Sequence, residues 1–264
     1  MSQRREVEAR LALYDELSGI LAAMRSFAVA ELHRVTKREA AQQQVVQSLA
    51  LSLDDLADSL PEPASDKFKQ DLWLLFGSVR GFCGSLNEDV IRLWRGASQQ
   101  ADPVILVGER LHGLVADERE SVQKLSGANG GLDAPATIER VLSAVEWLRN
   151  SDEFGVMACI RDEQAARCQR LWPLSTSSRG KKYSQPFTYA PLADVATGVA
   201  QHFLFHNLLA LLLRSIRVEN HMRLMQMETA LRHLERGGEE LQRQRNRLRQ
   251  EEIVEEIELM VGRR

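Results

Sequence analysis

The chain has 264 residues, enough for one large or two ordinary domains with a real core. Its 34 basic and 37 acidic side chains leave a net charge of -3, so no overall attraction to nucleic acid or anionic membrane is expected, and any such attraction would have to be local. Cys83, Cys159 and Cys168 form an odd set with no C-x-x-C pair, which argues against a disulfide framework or a zinc knuckle and predicts buried or idle thiols in a reducing compartment. The opening MSQRREVEAR is charged throughout with no apolar run behind it, unlike a secretory signal. The most apolar stretch, FLFHNLLALLLRSI at 203–216, is interrupted by His206, Asn207 and Arg214 and falls short of the ~20 residues a bilayer needs. No membrane span is expected, and any membrane association must come through a partner.

All seven prolines lie between Pro61 and Pro191. Proline inside a helix costs about 3 kcal/mol, so the proline-free ends, 1–60 and 192–264, are free to form unbroken helices of roughly 90 and 110 Å. A compact domain of this size is only about 40 to 50 Å across, so such helices must leave the globular body and find a partner along their length. At the N-terminal end Val7, Leu11, Tyr14, Leu21, Ala28, Leu32 and Val35 sketch an apolar seam. Between the ends, residues 66–190 alternate short apolar runs with amphipathic segments. DLWLLFG (71–77), PVILVG (103–108) and FGVMACIRD (154–162) read as strands, and RCQRLWPL (167–174) as a possible further one. SLNEDVIRLW (85–94), ERLHGLVADE (109–118) and APATIERVLSAVEWLRN (134–150) read as helices. That rhythm predicts a small, Rossmann-like α/β sheet of parallel strands. SGANGGLD (126–133) and STSSRGKKYSQP (175–186) read as exposed loops. At the C-terminal end Asn220, Leu224, Met227, Leu231, Leu234, Gly238, Leu241, Arg245 and Leu248 step by four and three, a coiled-coil seam. With the ends separated by a folded middle, the two helices are expected to pair antiparallel. Gly237 and Gly238 break helix propensity mid-seam, where the helix should bend or admit another backbone.

Four features could carry chemistry. LLFGSVRGFCGSLNEDV (74–90) is a strand, a glycine-rich turn and a helix start, an arrangement that can present N–H groups to a phosphate. It matches neither G-x-G-x-x-G nor G-x-x-x-x-G-K-[ST] and has no P-loop lysine, so no nucleotide or other cofactor is expected there. Cys83 near the helix start could be an activated nucleophile, but no base accompanies it in sequence, and a packed structural thiol is the simpler reading. His202 and His206 share a helix face, yet Phe-Leu-Phe stands between them where a metal site would use the H-E-x-x-H glutamate, so they read as core or interface histidines. Arg243, Arg245, Arg247 and Arg249 cannot share one face at 3.6 residues per turn. A helix end with arginine on several sides suits insertion into a polar or acidic sleeve, where the plainer alternative is a solvated face.

Three separated segments resemble the gamma, or central-stalk, subunit of F-type ATP synthases. VRGFCGSLNEDVIR (79–92) is similar to the family's S-D-R-G-L-C-G-G-L-N segment through Arg80, Gly81, Cys83, Gly84, Leu86 and Asn87. VENHMRLMQMETA (218–230) resembles E-x-x-x-R-M-x-A-M-x-x-A-T through Glu219, Arg223, Met227 and Ala230. NRLRQEEIVEEIELMVG (246–262) resembles N-R-x-R-Q-x-x-I-T-x-E-L-x-E-I-V through Asn246, Arg247, Arg249, Gln250, Ile253 and Glu256. Near the N-terminus GILAAMRSFAVAEL (19–32) keeps Ile20, Ala23, Met24, Val29 and Ala30 of the family's pattern but lacks its lysine and threonine, as in a divergent or alternate bacterial branch.

The resemblance implies a non-catalytic shaft, without a cofactor or metal of its own. It would turn inside a ring of alpha and beta subunits while its α/β foot rests on the membrane rotor (c) ring and an epsilon subunit, at the cytoplasmic face of the cell inner membrane. It assigns contacts with the alpha/beta ring to Met24, Arg223, Asn246, Arg247, Arg249 and Gln250, and a foot-domain motif to Arg80, Gly81, Cys83, Gly84 and Asn87. Nucleic acid is not among the implied partners. Two rival classes are a nucleotide-binding α/β enzyme dimerised by its helices, which titration of the isolated chain with nucleotide would reveal, and an unrelated coiled-coil scaffold, which stable self-association would reveal.

Overall fold

The computed structural model describes residues 3–60, 70–115, 122–149, 154–174 and 187–262. The 175–186 segment, expected to be an exposed loop, lies outside the described residues. Helix α1 spans Gln3–Asp55 and helix α5 spans Leu192–Val261, close to the expected proline-free ends. Between them come β1 (Asp71–Phe76), α2 (Leu86–Ala97), β2 (Val104–Val107), α3 (Glu109–His112), β3 (Val122–Leu125), α4 (Ala134–Arg149), β4 (Gly155–Arg161) and β5 (Ala166–Trp172). The chain divides into two compact units, Met1–Val29 with Arg223–Arg264, and Ala30–Met222.

In the first unit α1 and α5 pair antiparallel. Arg4 meets Glu252 at 2.8 Å, and the Tyr14 ring lies against Gly237. The expected seam is the one formed. Val7, Ala28 and Met227 are buried, and Leu11, Tyr14, Leu21, Leu224, Leu231, Leu234, Leu241 and Leu248 are half-buried between exposed neighbours. The glycine pair resolves into two different positions. A Cβ on Gly237 would stand 2.7 Å from Tyr14 Cε2, whereas one on Gly238 would meet nothing within 4 Å. What Gly237 admits is therefore an aromatic side chain rather than another backbone, and helix α5 continues unbroken through both residues.

The second unit is built on a five-stranded sheet of order β3-β2-β1-β4-β5. The alternation of β1 sorts its side chains between two cores, as the period of two requires. Leu72, Leu74 and Phe76 join Ile138 and Val141 of α4 and Leu208, Leu212 and Ile216 of α5 on one face. Trp73 and Leu75 join Val90, Ile91 and Trp94 of α2 on the other. The 203–216 stretch that looked most apolar thus includes the part of α5 that covers the sheet. A window of this helix is long and apolar enough to cross a bilayer, and 44% of that window is buried inside the protein, where Leu208, Leu212 and Ile216 cover the sheet.

Several expectations are corrected here. The sheet is mixed rather than parallel, because β4 and β5 form an antiparallel hairpin. Of the helix expected at 109–118 the described residues form a single turn, α3, and 116–118 lie outside them; the strand VQKL of β3 pairs parallel with β2. Cys159 and Cys168 are bonded as a disulfide, against the expectation of idle thiols, because the β4–β5 hairpin sets them directly opposite one another. The SGANGGLD loop is not simply exposed, since Gly127, Ala128 and Gly131 are buried. Helix α1 covers it, with Glu31 Oε1 accepting the Gly131 N–H at 2.9 Å and Arg38 Nη1 donating to the Gly131 carbonyl at 2.7 Å.

Candidate functional site

The turn from β1 into α2 carries the foot-domain motif, and its polar groups point inward. Asn87, in the first turn of α2 and buried, accepts the Ser78 N–H through Oδ1 at 2.9 Å and donates from Nδ2 to Ser78 Oγ at 2.9 Å. The Cys83 thiol, also buried, donates to the same hydroxyl at 3.1 Å. Gly84 takes φ 58°, a left-handed conformation that a residue without a Cβ adopts at no steric cost. Cys83 and Leu86 pack on Val218 of α5, with Met222 beside them, and the buried Glu219 accepts the Arg80 N–H at 3.5 Å. The motif is therefore a clasp that seats the β1–α2 turn on α5.

A phosphate would find poor terms at this turn. The Ser78 N–H already bonds to Asn87, and the Glu219 carboxylate faces the Arg80 amide, where it would repel an anion. The crevice at the end of β1 is also filled, since a Cβ on Gly77 would fall 2.3 Å from Leu111 Cγ. The Cys83 sulfur lies beside the Ser78 hydroxyl and the Asn87 amide, which suits a packed thiol. His206 takes a hydrogen bond from Gln42 of α1 at Nδ1, 2.8 Å, while its ring stacks with His202 at 6.4 Å. Among the described residues no cluster of three or more His, Cys, Asp or Glu side chains could hold a metal.

In the first unit Asn246, Arg247, Arg249 and Gln250 are all exposed on the last turns of α5. Arg247 makes a solvent-facing pair with Glu251 at 2.9 Å, a kind that contributes little stability. Met24 is half-buried on α1. Arg223 differs from the rest in being buried, 4% exposed. Reading a single seam missed two further exposed apolar sets. Leu13, Leu17, Ile20 and Phe27 line α1, and Ile253, Val254, Ile257, Leu259, Met260 and Val261 cover the end of α5. The first was legible as a second stripe, because 13, 17, 20, 24 and 27 also step by four and three. Exposed apolar sets of this kind mark interaction surfaces.

Antiparallel terminal helices, outward apolar and arginine-bearing faces on that pair, and an α/β domain clasped to the same helices define a stalk protein rather than a small-molecule site. The chain belongs to the ATP synthase family, whose model matches residues 3–262, as a gamma, central-stalk member. That family is a non-catalytic part of a membrane-associated complex, peripheral to the membrane. The rotor of the Euglena gracilis mitochondrial ATP synthase in rotational state 1 is similar at 14% identity and a TM-score of 0.68, over 95% of this chain and 98% of that one. A chain of the same organism's OSCP/F1/c-ring assembly in rotational state 3 is similar at 14% identity and TM-score 0.63, over 98% and 92%. A chain of the Tetrahymena thermophila mitochondrial central stalk and c-ring follows at 18% identity and TM-score 0.56, over 80% and 99%. At such identities these likenesses show the fold. A comparison with curated proteins returned no match.

Proposed function

We propose that this chain is the rotating shaft of an F-type ATP synthase, carrying torque between a membrane ion-driven rotor ring and a catalytic alpha/beta ring during ATP synthesis or hydrolysis. The observation that carries the reading is the match to the family across residues 3–262, joined to a seam that pairs α1 with α5. A paired shaft with unlike faces presses differently on otherwise identical catalytic partners, and differential contact is what shifts each between states. The chain itself does no chemistry and takes no cofactor. Its partners are the alpha and beta subunits through Met24, Asn246, Arg247, Arg249 and Gln250, and the epsilon subunit and c-ring through the α/β foot. It sits peripherally at the cytoplasmic face of the cell inner membrane. Functionally it divides into 1–60, a foot at 66–190, and 192–264. The foot is a Rossmann-like domain put to structural use, a reading supported by its sheet order and by its filled β1–α2 turn.

Co-expression of the tagged chain with the alpha and beta subunits of the same organism tests this. Joint elution with ATP hydrolysis is the expected result. A chain that elutes alone, or one that binds ATP in isolation at micromolar concentration in a calorimetric titration, would overturn it.

A further inference from the structure

The second unit holds a charged cluster that neither the seam nor the sheet requires. The two oxygens of Glu39 on α1 are held by different arginines of α5: Arg214 Nε donates to Oε1 at 3.1 Å, and Arg217 Nε donates to Oε2. The glutamate side chain is only 13% exposed. Both guanidiniums reach on to the turn between β4 and β5. Arg217 Nη1 donates to Glu163, and Arg214 Nη1 lies 3.6 Å from Asp162 Oδ2. The turn is fixed in its own right. The Asp162 N–H bonds to the Ala165 carbonyl at 2.9 Å, and Arg167 reaches Asp162 at 3.3 Å. Next to the turn, Arg161 holds Asp89 of α2 at 3.1 Å. A continuous path of charged contacts therefore joins α1, α5, the β4–β5 hairpin and α2.

Stability does not explain this placement. Half-exposed ion pairs contribute little, and buried ones are offset by desolvation. The apolar contact of Leu208, Leu212 and Ile216 with the sheet already supplies cohesion, but such contact is non-directional and resists separation better than twisting. Charge-assisted hydrogen bonds have a set length and direction, and here they cross from the sheet domain to both helices at one level. We propose, building on the central-stalk reading, that Glu39, Arg214, Arg217, Asp162 and Glu163 form a torsional clasp that carries torque from the α/β domain into α1 and α5. Glu39 is a positioning residue, acting on the catalytic partners only through the helices it fixes.

The test uses the reconstituted complex, immobilised by its catalytic ring, with a probe attached to the α/β domain and its angular fluctuations recorded without ATP. Glu39→Gln keeps the shape and removes the charge. Because a charge-assisted bond is roughly twice as strong as a neutral one, the variance of the probe angle should rise, by at most about twofold. Ion pumping per ATP against an opposing gradient should fall, while hydrolysis without a gradient persists. Glu6→Gln, in an exposed pair with Arg10, should change none of these. Asp162→Asn with Glu163→Gln breaks only the turn side and should give the same loosening; it decides the matter if Glu39→Gln does not assemble. Unchanged fluctuations in an assembled, pumping variant complex would overturn the clasp alone. A wild-type chain that restores no pumping would overturn the central-stalk reading and the clasp with it.

Discussion

His206 is held as a neutral ring by a hydrogen bond that cannot simply reverse. Gln42 Nε2 donates both to His206 Nδ1 at 2.8 Å and to the His206 carbonyl at 2.9 Å. Turning the amide over to suit a protonated ring would therefore set two oxygens against each other. Burial, and then the neighbouring His202, hold the imidazole below its ordinary 6.5. Between the lowered value and 6.5 the unfolded chain binds more protons than the folded one, so this contribution to stability is complete above about 6.5 and is lost as pH falls through the folded-state value. The melting temperature should drop over that window, and His206→Gln should flatten the drop; an unchanged acid slope in the variant would assign it to another group. The paired glycines give a second contrast at this scale. Gly238→Ala meets open space and should gain up to about 1 kcal/mol of helix propensity. In Gly237→Ala the same gain is opposed by Tyr14 at 2.7 Å. The two should differ in melting temperature in the wild-type background and converge when Tyr14 is also replaced by alanine.

At the scale of elements, the β1–α2 clasp depends on one amide. Asn87→Ala leaves the Ser78 N–H, which Asn87 Oδ1 now accepts, without that partner in a residue that is 0% exposed. Such a buried orphan costs about 1 to 3 kcal/mol. Urea unfolding should show a loss of that order with the m-value kept, and a loss below about 0.5 kcal/mol, the size of an ordinary surface substitution, would mean the network is dispensable. Elements with strong periodicity were legible in the sequence: α1 and α5 from proline exclusion and the four-three seam, β1, β2 and β4 from short apolar runs. β3 was not, because VQKL is four residues long with no fully buried position, so its pairing with β2 rather than its composition makes it a strand. The disulfide was hidden for a related reason. A spacing of nine between Cys159 and Cys168 means nothing until the hairpin between them is known. The motif at 79–92 was visible, but its role was not, since a glycine-rich turn before a helix looks alike whether it cradles an anion or packs on Val218.

For the whole molecule, the exposed end of α5 is where the central-stalk reading is most open to test. Asn246, Arg247, Arg249 and Gln250 face solvent, as do Ile253, Val254 and Ile257 beyond them. On the central-stalk reading, a helix end so rich in uncovered arginine and apolar side chains would meet a surrounding partner. A charged hydrogen bond from Arg249 to a loop of the catalytic ring would be worth roughly 1.5 to 3 kcal/mol, and a neutral one from Gln250 about 0.5 to 1.5 kcal/mol. Replacing both by alanine removes those bonds without touching the fold, because alanine is the best helix former and both side chains are exposed in the isolated chain. The double variant should therefore keep the helical circular dichroism of the isolated subunit and still assemble. ATP hydrolysis by the reconstituted complex should fall, and with it the coupling of hydrolysis to ion transport. A complex of the double variant with unaltered hydrolysis and pumping would remove these two residues from the contact surface, and the shaft would then have to engage the ring through its apolar faces instead.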